Sequence, residues 1–135
     1  NNAVYQSYLE HARHLFLEAA GIDFAAQHAA GVDPMVTRAE IDYKRPLRPG
    51  DRFLVGVRVS RKGRLRFVFN QEIRSAGRRP VEGASGGDHG SDDLHPGELV
   101  VAARIVALTV AGGRPVEPTD IIAAIERRFG AVERE

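Results

Sequence analysis

The chain contains no cysteine. Disulfides, thiolate catalysis and cysteine-based zinc sites are therefore excluded. It has no surplus of one charge either: Lys and Arg number 19 against 18 Asp and Glu in 135 residues, so no overall field would draw it to nucleic acid or an anionic membrane. No apolar run approaches the roughly 20 residues of a bilayer-spanning helix. Charged residues break up the N-terminal segment too early for a signal peptide, which makes the cytoplasm the expected compartment. No internal repeat is visible. What remains is a chain 43% hydrophobic and 27% charged, the composition of one domain with one core, predicted to span 1–135.

The opening stretch NNAVYQSYLEHARHLFLEAAGID reads as a helix from the first or second residue. Asn2 can cap it, its side-chain oxygen accepting from the free N–H groups of the first turn. Tyr5, Leu9, Ala12, Phe16 and Ala19 recur at helical spacing, and Tyr8, Leu15 and Ala20 widen that stripe, so the helix is expected to be mostly buried. Gly21 suits its C-terminus. Asp23 is placed to cap a short second helix, FAAQHAA, closed by Gly31. From Met35 the period changes to two: Met35, Thr37, Ala39, Ile41 and Tyr43 alternate with polar neighbours and with Val36, predicting a strand with one wet face. The corner KRPLRPGD reads as tight architecture carrying Lys44, Arg45 and Arg48. Phe53, Val55, Val57 and Val59, then a turn at RKG, then Leu65, Phe67, Phe69, Gln71 and Ile73 predict an antiparallel hairpin.

The stretch from 76 to 97 is rich in glycine and polar residues and is expected to be a long, mobile loop. Its Asp88, His89, Asp92, Asp93 and His95 are ligand types, but their spacing matches no metal site and a loop offers nothing to orient them, so no metal or cofactor is expected. The run GELVVAARIVALTVAGGRPV is apolar on both faces, as for a strand with a neighbour on each side and a helix across it. The tail PTDIIAAIERRF predicts a short amphipathic helix with Arg127 and Arg128 near its end. One long helix, four strands and a short helix make an α+β layout in which an antiparallel sheet wraps the helix.

Three stretches in this order, NNAVYQSYLEHAR, AEIDYKRPLRPGD and FVFNQEI, resemble the hot-dog-fold acyl-CoA thioesterases, in particular the 4-hydroxybenzoyl-CoA thioesterase branch. The resemblance runs from Asn1 to about Phe129, the loop apart. It implies hydrolysis of an acyl-CoA or acyl-carrier-protein thioester, without a cofactor, by a homodimer or homotetramer with sheets joined edge to edge and active sites at the interface. In that branch a first strand and a catalytic Asp precede the paired asparagines, so both are expected to be missing from this sequence. Two other readings stay open: a hot-dog binding or scaffold module without a competent site, and, ranked lower, a hydroxyacyl-thioester dehydratase.

The chemistry needs a polarised carbonyl and a carboxylate beside it. The resemblance puts the oxyanion-binding N–H groups around Asn2, Ala3 and Val4, where free amides and the positive end of the helix dipole coincide. Glu10 is the carboxylate candidate, because a second hot-dog branch uses an acid about two turns into this helix. The plainer reading makes it a surface acid paired with Arg13 or His14. His11 and His14 are candidates for orienting substrate or acting as bases. Arg61, Lys62 and Arg64, with Arg66 beside them, could grip the phosphates of coenzyme A or simply keep a sheet edge soluble.

Overall fold

A computed structural model describes residues 2–78 and 97–135. The elements run α1 (Asn2–Ala19), α2 (Phe24–Ala29), β1 (Val32–Tyr43), β2 (Asp51–Lys62), β3 (Arg66–Arg78), β4 (Leu99–Ala111), β5 (Arg114–Val116), α3 (Thr119–Phe129) and β6 (Glu133–Arg134). Most of the glycine-rich stretch, with Asp88, His89, Asp92, Asp93 and His95, lies outside the described residues.

The strands form a sheet ordered β1-β4-β3-β2-β6, with β5 paired to β4. All pairs are antiparallel except β2 with β6. Alternation decides which side faces the helices. On β3 the odd residues Phe67, Phe69, Gln71 and Ile73 lie opposite Ala107, Ile105, Ala103 and Val101 of β4. These β4 residues and the three apolar β3 residues share one buried cluster with Leu9 and Leu17 of α1 and with Ile121, Ile122, Ala124 and Ile125 of α3. Strand β4, hydrogen-bonded to a strand on each side, also buries Val106 and Leu108 on its other face, as its doubly apolar sequence predicts. The stacked rings of Phe16 and Phe129, with centroids 4.4 Å apart, join α1 to α3.

Three expectations need correction. First, α1 is not mostly buried: only Leu9 and Leu17 are fully covered, while Val4, Tyr8 and Leu15 stay exposed, because the sheet covers one side of the helix only. Second, β1 carries an irregularity between Val36 and Arg38. An extra residue at that point shifts the alternation, so Val36 lies opposite Ala107 and Ala39 opposite Ile105, and Met35 and Thr37 fall out of phase with Ala39, Ile41 and Tyr43. Third, the last apolar run is two strands. Gly112 and Gly113, with φ of 60° and 76°, make the left-handed pair that a two-residue hairpin turn requires, and β5 folds back on β4.

The cap of α2 forms as expected, the Ala26 amide donating to Asp23 Oδ1 at 3.0 Å. Asp23→Ala is expected to lower stability by about 1 kcal/mol in urea unfolding; an unchanged midpoint would show that α2 is held by packing alone.

Beside β6, the Glu135 carboxylate accepts from both Arg104 terminal nitrogens at 2.6 Å and from Ser60 Oγ at 2.7 Å. This charge-assisted fork ties Glu135 to β4 and β2. The bonds from Arg104 first, then Ser60, bring the Glu135 carboxyl down from 4.5 to about 2. A folded-state pKa below the unfolded one adds stability that is fully present above the unfolded value and disappears as pH falls through the folded one. Between about pH 4.5 and 2 the wild type should therefore lose stability faster than Glu135→Gln. Urea midpoints that run parallel across this range would contradict the linkage.

Candidate active site

The first helix lies along the sheet with its start near the end of β1. Tyr5 Oη accepts from the Leu47 amide at 2.9 Å, and the Tyr5 and Tyr43 rings are 5.8 Å apart. The other end of α1 points toward α2, where the His14 ring stacks on Phe24 at 4.5 Å. Between the middle of α1 and β1 opens a cavity of about 490 Å³. Its wall is largely apolar, with Leu9, Leu17, Phe24, Ile41, Phe69 and Ile105 among its residues, and its polar members among the described residues all come from α1: Gln6, Glu10, Arg13 and His14.

The i, i+3 and i, i+4 spacing of a helix puts Glu10, Arg13 and His14 on one face, and the apolar phase at Leu9 and Leu17 turns that face toward the sheet edge. Glu10 has no hydrogen bond or ion pair among the described residues. It is therefore not tied up in the helical pairing that would make it a plain surface acid, although its charge reaches Arg13 through space. Arg13 itself turns inward: its Nη1 donates to Gln71 Oε1 at 2.9 Å, and Gln71 Nε2 donates to the Leu9 carbonyl at 2.9 Å. Burial pushes the Arg13 guanidinium below its usual range, with Glu10 pulling the other way.

The other candidates lie elsewhere. Asn2, Ala3 and Val4 form the first turn of α1, exposed and outside the cavity wall; Asn2 offers its carbonyl to Tyr43 Oη at 3.5 Å. Glu10 lies seven residues beyond Ala3, about 10 Å along the helix axis at its regular rise. His11 is exposed and does not line the cavity. At the β2–β3 turn, Glu117 pairs with Arg64 at 2.9 Å and approaches Arg61 at 3.9 Å, and Arg61 Nη2 also donates to the Arg64 carbonyl. Lys62 is exposed. This turn is at the same end of the sheet as the Met35 side of the cavity, since Met35 and Arg66 both lie opposite Leu108.

Gln71 joins the site from the core face of β3. The sequence carries the signal, since a glutamine in phase with Phe67, Phe69 and Ile73 falls on that face, where a buried amide needs partners.

Comparison with known proteins agrees with this architecture. The sequence profile described as Thioesterase superfamily matches residues 1–82. The chloroplastic acyl-acyl carrier protein thioesterase ATL3 of Arabidopsis thaliana is 37% identical over 73 residues, covering 54% of this chain and 38% of the relative. The chain thus matches about two-fifths of that relative's length. A crystal structure of a thioesterase from Thermus thermophilus, complexed with coenzyme A and zinc, superposes with a TM-score of 0.70 at 27% identity, over 96% of this chain and 80% of that one. A 1,4-dihydroxy-2-naphthoyl-CoA thioesterase from Synechocystis shares the fold, with a TM-score of 0.70 at 19% identity over 93% and 81%. With the fold of these thioesterases, a hot-dog fold, and a profile match over more than half its length, the chain belongs to the thioesterase superfamily.

Proposed function

We propose that this protein hydrolyses an acyl thioester, of coenzyme A or of acyl carrier protein, in the cavity between α1 and β1. The observation that supports this most is Glu10, an acid with no hydrogen bond or ion pair among the described residues, on the wall of a largely apolar cavity. Glu10 acts as general base toward water. The apolar walls suit aliphatic or aromatic acyl groups. Arg61, Lys62 and Arg64 bind the phosphates of coenzyme A. Counting strands from β1 across β4 and β3 to β2, the turn lies about 14 Å from the Met35 side of the cavity at the usual strand spacing, within reach of an extended thiol arm.

The protein works as a homo-oligomer joined through β1. Among the described residues that strand pairs with β4 on one side only and leaves Met35 and Val36 about half exposed, the kind of open apolar edge that a second copy covers. No described helix is long and apolar enough to cross a membrane.

Thiol release over a panel of acyl-CoA and acyl-carrier-protein thioesters tests the reading. Saturable release supports it; binding without release would make the chain a thioester-binding module. Arg64→Ala separates the donors. For acyl-CoA it should raise KM about tenfold, the worth of one charge-assisted bond, while leaving kcat in place. An unchanged KM for acyl-CoA would remove the turn from the binding site.

A further inference from the structure

We propose that Phe24 closes one end of the acyl cavity and limits it to straight chains of about 9–14 carbons, which makes it a specificity-determining residue. The inference rests on the reading of the α1/β1 cavity as the thioester site and names the acyl class that this site takes.

The cavity is a trough, and connectivity decides which end is closed. Helix α1 runs from the end of β1, where Tyr5 meets Tyr43 and Leu47, toward α2, which leads into the start of β1. The lining follows that order, from Gln6 and Ile41 at one end to Leu17, Pro34 and Met35 at the other. The chain that joins α1 to β1 has to cross the gap between them at the Leu17 end. That crossing is α2, and Phe24, at its first position, is the α2 residue on the cavity wall. A second copy on β1 covers the trough along its side, at Met35 and Val36, and leaves this end as the chain's own connection makes it.

Phe24 is held in place from several directions. Asp23 caps α2 directly before it. The buried Ile22 fixes the approach, its amide donating to the Leu17 carbonyl at 3.1 Å, and Phe24 itself packs against the core cluster. The exposed His14 ring stacks on it, with centroids 4.5 Å and planes 27° apart. A ring fixed by packing and by a stacked neighbour makes a stiff stop. The wall near it, with Leu17, Met35, Val36 and Ala107, is apolar, whereas Gln6 enters the wall at the other end, so a hydrocarbon tail gains more by lying toward Phe24.

The helix supplies the ruler. The reacting carbon stands one water from Glu10, between its level and that of Gln6 one turn before. Leu17 lies about 10 Å along the axis from Glu10 and about 16 Å from Gln6. An extended hydrocarbon advances about 1.2 Å per bond, as a polypeptide backbone does. About 8–13 bonds therefore fit before Phe24.

The test is kcat/KM over straight-chain acyl thioesters from hexanoyl to stearoyl, on whichever donor releases thiol. The value should rise about fourfold per methylene, the worth of burying one, to a maximum at about 9–14 carbons, and fall beyond it. In Phe24→Ala the maximum should move about 3–4 carbons longer, one phenyl depth at the same advance per bond, while the steps among the shorter chains stay the same. A merely structural role for Phe24 would lower the whole profile without moving its maximum, and that result overturns the proposal. So does a wild-type profile that is level or still rising at stearoyl, or an aroyl thioester that surpasses every straight chain. If Phe24→Ala does not fold, Phe24→Leu decides: a maximum at longer chains supports the stop, and an unmoved one overturns it. Thiol release with an unmoved maximum defeats this inference alone. A wild-type chain that releases no thiol from any member of the series defeats the thioesterase reading and this inference with it.

Discussion

Glu10→Gln should lower kcat for thioester hydrolysis by about 10²–10⁴-fold, the usual contribution of a positioned general base, while substrate binding persists. Glutamine keeps the volume and one acceptor of the side chain but cannot take a proton from water. The variant should fold as the wild type does, because Glu10 is exposed and holds no other described residue in place. Steady-state thiol release under saturating substrate reads this directly. Wild-type kcat in Glu10→Gln would leave the cavity without its base and move the chemistry to another carboxylate.

The largest expected effect on stability is at Phe67. Its ring is 0% exposed, packs edge to face on Phe69 with centroids 5.5 Å apart, and belongs to the cluster that joins α1, α3 and the sheet. Phe67→Ala removes that contact area and leaves a void that rigid strands on either side cannot close, so it should cost about 3–5 kcal/mol. Urea unfolding of the variant checks this, with Arg127→Ala as a surface control expected to stay within about 0.5 kcal/mol. A loss below about 1 kcal/mol would mean that β3 and its neighbours collapse around the gap, contrary to a tightly packed core.

Much of this architecture can be read from residue order, because side-chain periods of two and 3.6 differ in kind. The hairpin of β2 and β3, the doubly buried β4, the Asp23 cap and the closing helix all follow from local pattern. Other features depend on partners far away in the chain. The wide apolar stripe of α1 suggests deep burial, yet the sheet fully covers only Leu9 and Leu17; Tyr8 rests one face on Phe53 and stays partly open, and Leu15 is left to water. A residue inserted in β1 near Thr37 cannot be seen in an alternating pattern, since alternation fixes phase only while pairing is regular. The Gly112–Gly113 pair is a legible turn signal, but the apolar residues around it favour one long strand.

The candidate site shows the same division. Glu10 can be named only through the resemblance to a hot-dog branch with an acid at this point of the helix, and its cavity cannot be named, because the wall opposite comes from β1 and β4. Arg13 has the spacing of a helical partner for Glu10 and instead bonds to Gln71, 58 residues away. No local rule connects those two positions. The cations at the β2–β3 turn are plain in the sequence, whereas their shared counter-ion Glu117 arrives only when β5 folds back and brings the start of α3 beside the turn.

The central claim, that an acyl thioester reacts between α1 and β1, is tested most directly by a crystal structure of Glu10→Gln with an acyl-CoA bound. The account predicts the acyl chain against Leu9, Leu17, Phe24 and Ile105, with room for one water between the residue-10 side chain and the thioester carbon and that water about 3–3.5 Å from the carbon, the separation of a near-attack arrangement. An acyl chain seated on the opposite face of the sheet, or a thioester far from residue 10, would contradict it.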